Sequence, residues 1–333
     1  MPFILRAAGM LVLFCLVALL PLVSSDYYIG LATKIMIYSI FALSLQLLVG
    51  GAGLVSLGHA AFFGIAAYAT VLLSPESGAA NLLVALPAAM ACALAYALIT
   101  GALALRTKGV YFIMVTLAFS QMAYYVFHDA DFSGGSDGIY LYFRPEIRLG
   151  DTVLLNVDSP ISFYLLTLAL LVLTWAFLAM LMRSRFGAAL TGIRVNELRM
   201  RSAGFSTFNY KLIAYGLAGA LAGIAGLLYA SKDGFVNPEL LAWEQSGLVL
   251  LMVILGGSGR LWGAVLGAAG LTLLQEAFQS QALFGDWATH WHLTFGLCII
   301  ALVATMPNGL IGISAQWRGR RAALRPARSQ GRP

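Results

Sequence analysis

The stretch RSRFGAALTGIRVNELRMRSAGFSTFNYK, residues 183–211, lies between two long apolar runs, ISFYLLTLALLVLTWAFLAMLM at 161–182 and LIAYGLAGALAGIAGLLYA at 212–230. A run of ~20 mostly apolar residues is long enough to cross the hydrocarbon core of a bilayer as a helix. The basic, polar island between the two runs belongs in water beside the membrane, and plain connections are usually shorter. The island therefore reads as the place where a membrane protein meets a partner.

The rest of the chain repeats the apolar theme. Of its 333 residues 60% are hydrophobic and only 10% charged, against roughly 25% charged in a soluble domain. Apolar runs at 7–23, 29–49, 54–73, 82–105, 110–127, 161–182, 212–230, 247–255, 263–278 and 293–306 predict an all-α, polytopic membrane protein of about ten spans, the eighth of them short. Helices satisfy every backbone polar group inside lipid, and the alternating pattern of barrel strands is absent. The first run follows Arg6 and ends near Ser25, a layout that imitates a secretory signal. It is also long enough to span, and retaining it gives a consistent topology. Residues 1–315 read as one transmembrane domain, with the island at 183–211 inside it. The Arg-rich tail at 316–333 reads as disordered and drawn to anionic headgroups.

Lys and Arg set the orientation. With both termini inside, Arg6, Arg106, Lys108, the island, Arg260 and the tail face the cytoplasm, while Arg144, Arg148 and Lys232 lie outside. The net charge of +6 is thus a topology signal rather than a nucleic-acid footprint. Outer loops at 74–81, 128–160, 231–245 and 279–292 carry most of the acids and offer a surface to a soluble partner.

Within the island, Asn196 is placed to cap a short helix carrying Glu197 and Arg201 at i, i+4, and Gly204 to end it. The next run holds Gly216, Gly219, Gly223 and Gly226 on one side, a face for close helix packing, with Ile213, Leu217, Leu221, Ile224 and Leu228 opposite as a lipid-like side. Gly53, Ser56, Ala60, Gly64 and Ala67 repeat the device. Two Gly-Gly-X-Gly runs, 50–53 and 256–259, fall at cytoplasmic ends of apolar segments, where glycines permit broken helices. Polar groups at depth are few: Gln46, Ser56, His59, Thr116, Ser120 and Gln121. With Gly219 and Gly223, the last five of these are candidates for a translocation path or for helix packing. A buried ion costs ~3 kcal/mol on insertion scales, and the scarcity of Asp, Glu, Lys and Arg at depth argues against an ion relay.

Enzyme signals fail on context. Gly134-Gly-Ser-Asp-Gly138 matches a nucleophile elbow by letter but sits in an outer loop and reads as a turn. His290 and His292 lack further ligands at zinc spacing, and Cys15, Cys92 and Cys298 fall singly in apolar runs. No nucleotide-binding glycine loop of the Walker type occurs, so any nucleotide that drives this protein is bound by another chain. No catalytic, cofactor-binding or metal residue is assigned.

Gly53-Leu-Val-Ser-Leu-Gly-His-Ala-Ala-Phe-Phe-Gly-Ile-Ala-Ala-Tyr68 resembles a hallmark of the LivM-type permease subunit of branched-chain amino acid ABC importers. The resemblance extends through GVYFIMVTLAFSQ at 109–121, GGSDG at 134–138, YKLIAY at 210–215, AGALAGIAG at 218–226, LMVILGG at 251–257 and LWG at 261–263. It implies a type II importer permease in the inner membrane. The implied partners are a second homologous permease, two cytoplasmic subunits that bind ATP and magnesium, and a periplasmic binding protein. The island then resembles the family's coupling loop, with Arg194, Asn196, Glu197, Arg201 and Gly204 as its ATPase-coupling residues. Val195 departs from an acid common before Asn-Glu, and Met200 from a small alanine. The implied cargo is a branched-chain or similar aliphatic amino acid. Urea, short amides or other amino acids are the alternatives within the class, and an ion-coupled secondary transporter or a membrane redox subunit those outside it.

Overall fold

The computed structural model describes Pro21 and residues 25–75, 78–149, 152–155, 157–257, 259–305 and 309–310. The expected span at 7–23 and the expected tail at 316–333 lie outside them, apart from Pro21.

The described chain is mostly helical. Six helices are long and apolar enough to cross a membrane. They are α1 (Asp26–Gln46, continuing as a π-helical turn Leu47–Ala52), α3 (Leu82–Ala104), α4 (Val110–Asp129), α5 (Pro160–Arg183), α8 (Thr207–Asp233) and α10 (Leu261–Gln279). Shorter apolar helices are α2 (His59–Leu72), α9 (Trp243–Gly256) and α12 (Trp291–Thr305). The island folds into α6 (Arg185–Val195) and α7 (Glu197–Ser202), and α11 (Gln281–Phe284) is a single turn. Starts are set by side-chain caps: Asn81, Ser159 and Ser184 accept from the backbone N–H groups of Leu83, Ser162 and Gly187.

Three expectations change here. The run at 54–73 is not one span, because residues 53–58 are non-helical and α2 begins only at His59. The eighth segment is longer than its apolar core, running from Trp243 to Gly256. Short strands also occur in the loops: β1 (Ile139–Tyr140) pairs antiparallel with β4 (Phe235–Val236), and β2 (Ile147–Leu149) with β3 (Thr152–Leu155).

α1 and α8 form the centre. Of their most apolar eighteen-residue windows 83% and 78% are buried, against 22–33% for α3, α4, α5 and α10, whose outer sides are left for lipid. The glycine face of α8 meets an alanine row of α3: Ala85, Ala89, Ala93 and Ala97 are buried at every fourth position, and a Cβ on Gly219 would lie 2.6 Å from that of Ala97, while Gly216 makes room for the Leu94 and Leu98 side chains. Gly226 stands against the Phe63 carbonyl of α2, so two backbones touch there with no side chain between them. The opposite side of α8 is not a lipid face. Leu221, Ile224 and Leu228 are buried, because α8 is enclosed by α2, α3 and α1, and only Ile213 at its start is exposed.

The connections sort to two ends. Residues 52–55, 107–110, 112–113, 193–194, 197 and 211 line one cleft, which gathers Lys108, Arg194 and Lys211 at the island end. At the other end the loops before α3, before α5 and after α8 are stitched together: Leu82 N–H donates to the Glu146 carbonyl and Leu141 N–H to that of Gly234.

Candidate functional site

At the island end α5 stops at Arg183, and Ser184 both accepts from Gly187 N–H and starts α6. Asn196, extended at φ −157°, breaks α6 from α7 and caps α7 by accepting from Arg199 N–H at 3.0 Å. The helix ends where Gly204 takes φ +86°. Gly204 N–H then bonds to the Arg201 carbonyl and Phe205 N–H to that of Met200, the paired closure that needs a left-handed residue.

Glu197 is the hub. Its carboxylate takes Arg201 Nη2 at 2.7 Å, Lys211 Nζ at 2.7 Å and the Thr207 hydroxyl at 3.1 Å, while Arg201 Nε donates to Thr207 Oγ1 at 3.0 Å. Partial burial pushes the Glu197 carboxyl up, but the bond to Lys211, its charge, Thr207 and Arg201 together bring it below its ordinary value. The carboxylate thus holds α7 against the first turn of α8. The Glu197–Arg201 pair is as read from the sequence, whereas Thr207 and Lys211 were missed. Their signal was present: at i, i+4 they share one face of α8, and the tight turn after Gly204 folds that face back onto Glu197.

The outward side of the island carries apolar groups in water. Val195 is 79% and Leu198 71% exposed, and Arg199, next to Leu198 in sequence, is exposed as well. Met200, where the resemblance favours a small residue, packs inward: its Sδ lies 2.8 Å from where a Cβ on residue 192 would be, and Gly192 supplies the room. Arg194 stands apart from the Glu197 cluster, across a cleft of about 490 Å3 lined by both, and its Nη1 donates to the Gly50 carbonyl at 2.5 Å.

The buried polar residues gather around the break between α1 and α2. His59 opens α2, stacks on Phe41 and meets Ser44 Oγ through Nε2 at 2.7 Å. Ser44 already donates to the Phe41 carbonyl, so it accepts from His59 Nε2–H. Nδ1 is then a bare acceptor with no partner among the described residues. Thr116 accepts from Leu57 N–H at 3.2 Å, Ser56 from Gly58 N–H at 3.2 Å, and Ser246 from Ala60 N–H at 2.8 Å. Ser120 donates to the Leu241 carbonyl at 2.8 Å. The hydroxyls of Thr116, Ser56 and Ser246 satisfy backbone groups that the broken helix leaves without partners in an apolar interior, and Ser120 does the same for the turn before α9. Gly219 and Gly223 sit at the α8–α3 contact instead. Gln121 belongs to neither group and lines a second cleft of about 490 Å3, at the opposite end, with Tyr124, Tyr125, Glu239, Glu244 and Gln245. The elbow-like Gly134–Gly138 segment is two tight turns with Gly134, Gly135 and Gly138 at positive φ. Among the described residues no group of three or more His, Cys, Asp or Glu side chains is placed to hold a metal ion.

Comparison with known proteins places this geometry in context. The family model described as branched-chain amino acid transport system / permease component matches residues 27–304. The high-affinity branched-chain amino acid transport system permease protein LivM of Salmonella typhimurium is 32% identical over 310 residues, covering 87% of this chain and 71% of the relative. LivM of Escherichia coli K12 is 31% identical over the same shares. The autoinducer 2 import system permease protein LsrC of Photorhabdus laumondii is 29% identical over 145 residues, 42% of each chain. No solved structure matches.

Proposed function

This chain belongs to the permease-component family of branched-chain amino acid transport systems, and from that premise we propose that it is half of the membrane pore of an ATP-binding-cassette importer. Its cargo is a branched-chain or similar aliphatic amino acid, delivered by a periplasmic binding protein to the loops at the α1-start end. A second homologous permease completes the pore. Two cytoplasmic subunits bind ATP and magnesium and dock on the island, and this chain makes and breaks no covalent bond. The chain is a single transmembrane domain over 1–315 with a basic tail, about ten spans and both termini inside.

The observation that carries this reading is the build of the island. A loop that merely connected α5 to α8 would need no internal helix cap, no left-handed stop and no carboxylate bonded to three groups. This one has all three, and it presents Val195, Leu198 and Arg199 outward in water. A rigid, partly apolar tip is what a protein partner grips, and exposed apolar side chains there gain by being covered. ATP binding on the partners biases two arrangements of the pore, and the island carries that difference to α5 and α8, the helices it joins.

Uptake by the purified complex with its binding protein in proteoliposomes tests the reading. Leucine uptake is expected to require ATP on the island side and to survive collapse of ion gradients. Uptake by this chain alone that stops with an uncoupler would overturn it in favour of a secondary transporter. Strong uptake of urea or a short amide, with none of leucine, would overturn the cargo alone.

A further inference from the structure

The two Gly-Gly-X-Gly runs are about 200 residues apart in sequence, yet they meet in space, and the residue that bridges them belongs to the island. We infer that Arg194 is the positioning residue through which movement of the island reaches the spans, an inference that rests on the importer reading above. The joint has three members. The first is the π-helical end of α1 with the non-helical residues 53–58, the second Gly257, Gly259 and Arg260 between α9 and α10, and the third the end of α6.

Each contact has a physical reason. α1 stops at Gly53, φ +70°, so its last carbonyls lack partners within the helix. Arg194 Nη1 donates to one of them, Gly50, and a cation at a helix C-terminus is also favoured by the helix dipole. The aliphatic stem of Arg194 lies over Gly53, where a Cβ would stand 2.9 Å from Arg194 Cγ. The loop is tied to the same place from the other side. A Cβ on Gly50 would be 3.1 Å from Gly259 N. The Gln46 amide faces the loop, and its orientation is assigned from the two backbone donors there: with the oxygen toward the loop it accepts from Gly259 N–H at 2.6 Å and Arg260 N–H at 3.0 Å. Arg194 Nη1 is itself 3.8 Å from the Cβ position of Gly259.

Beyond the loop the backbones of α9 and α10 press together at Gly256, Gly263 and Gly267, so whatever shifts the loop shifts both helices. A displacement of α6 therefore pulls on the end of α1, on the break that leads to α2 and on the α9–α10 pair at once. Small shifts at such a packed junction pass on as discrete rearrangements rather than being absorbed. Gly50 and Gly51 lie in the π-helical turn, so Arg194 grips α1 where its regular α-helical hydrogen bonding has ended.

The test uses the full complex with its binding protein in proteoliposomes and reads leucine transported per ATP hydrolysed. Arg194→Gln is expected to lower that ratio about tenfold, since a charge-assisted bond to a carbonyl is lost while the fold of the island is kept. Arg194→Lys, which keeps a cation and a donor, is expected to recover part of it. A parental ratio in Arg194→Gln, or no difference between Gln and Lys, overturns the inference. If Arg194→Gln does not assemble, Gln46→Met breaks the joint from its far side without touching the island and must lower the ratio, and a parental ratio there overturns it equally. Glu197→Lys in the same preparation separates the two levels. If it uncouples while Arg194→Gln does not, the joint alone fails. If the parental complex holds no ATPase subunits, the importer reading itself fails.

Discussion

Glu197 shows how one side chain converts a loop into a folded element. Its carboxylate answers Arg201, Lys211 and Thr207, and its charge is held below the ordinary carboxylate range, first against the opposing effect of partial burial and then through Lys211, Thr207 and Arg201. A carboxylate with a lowered pKa contributes its stability above the ordinary value and loses it as the pH falls through the lowered one. The docking of α7 on α8 is therefore expected to stay constant from about pH 7 down to the ordinary carboxylate range and to loosen only below it. A spin label at Ser202→Cys should report that loosening as faster motion. In Glu197→Gln the label is expected to be mobile already at neutral pH, with about 1 kcal/mol of docking lost. A low-pH transition that persists unchanged in Glu197→Gln would assign it to other carboxylates.

At the scale of elements, the contact of α8 with α3 and α2 decides whether the bundle forms. Lipid tails are as apolar as leucine, so helices associate by close packing, and bare glycine backbone against alanine allows the closest approach. Gly226→Leu would drive a side chain into the Phe63 carbonyl and is expected to cost about 3 kcal/mol or more, or to prevent folding. Leu221→Ala removes a side chain that is only 6% exposed and should cost about 2–4 kcal/mol. Ile213→Ala, at a half-exposed position, should stay within about 0.5 kcal/mol. Recovery of monodisperse protein in detergent and its thermal midpoint rank the three. Equal behaviour of Gly226→Leu and Ile213→Ala would remove the packing argument.

At the scale of the whole molecule, basic residues collect at the island end and acids at the other. The island-end connections carry Arg106, Lys108, Arg183, Arg185, Arg194, Arg199, Arg201, Lys211 and Arg260, and the opposite loops carry Asp129, Asp131, Asp137, Glu146, Glu239 and Glu244. The excess of Lys and Arg at the island end predicts a cytoplasmic island. Ser184 and Ser136 are both exposed and lie at the two ends. In a background without the native cysteines, Ser184→Cys is expected to react with a membrane-impermeant maleimide only after the membrane is opened, and Ser136→Cys in intact cells. The reverse pattern would invert the topology.

What the sequence determined alone is what depends on local composition: apolar length made spans, Ser and Asn caps started helices, Asn196 and Gly204 bounded α7, and Glu197 met Arg201 one turn away. Family likeness was legible for the same reason, since its motifs are local packing strings. Tertiary structure alone decided which spans are central. A Gly–Leu pattern such as that of α8 has two faces in any environment, and only its neighbours made Leu221 and Leu228 interior rather than lipid-facing. It also decided that residues 53–58 leave the helix, because hydroxyls of Thr116 and Ser246, far away in sequence, satisfy the backbone at the break. The meeting of the two glycine runs under Arg194 belongs to the same class. Contacts between distant residues depend on how every intervening helix packs, and no local pattern of residues records that.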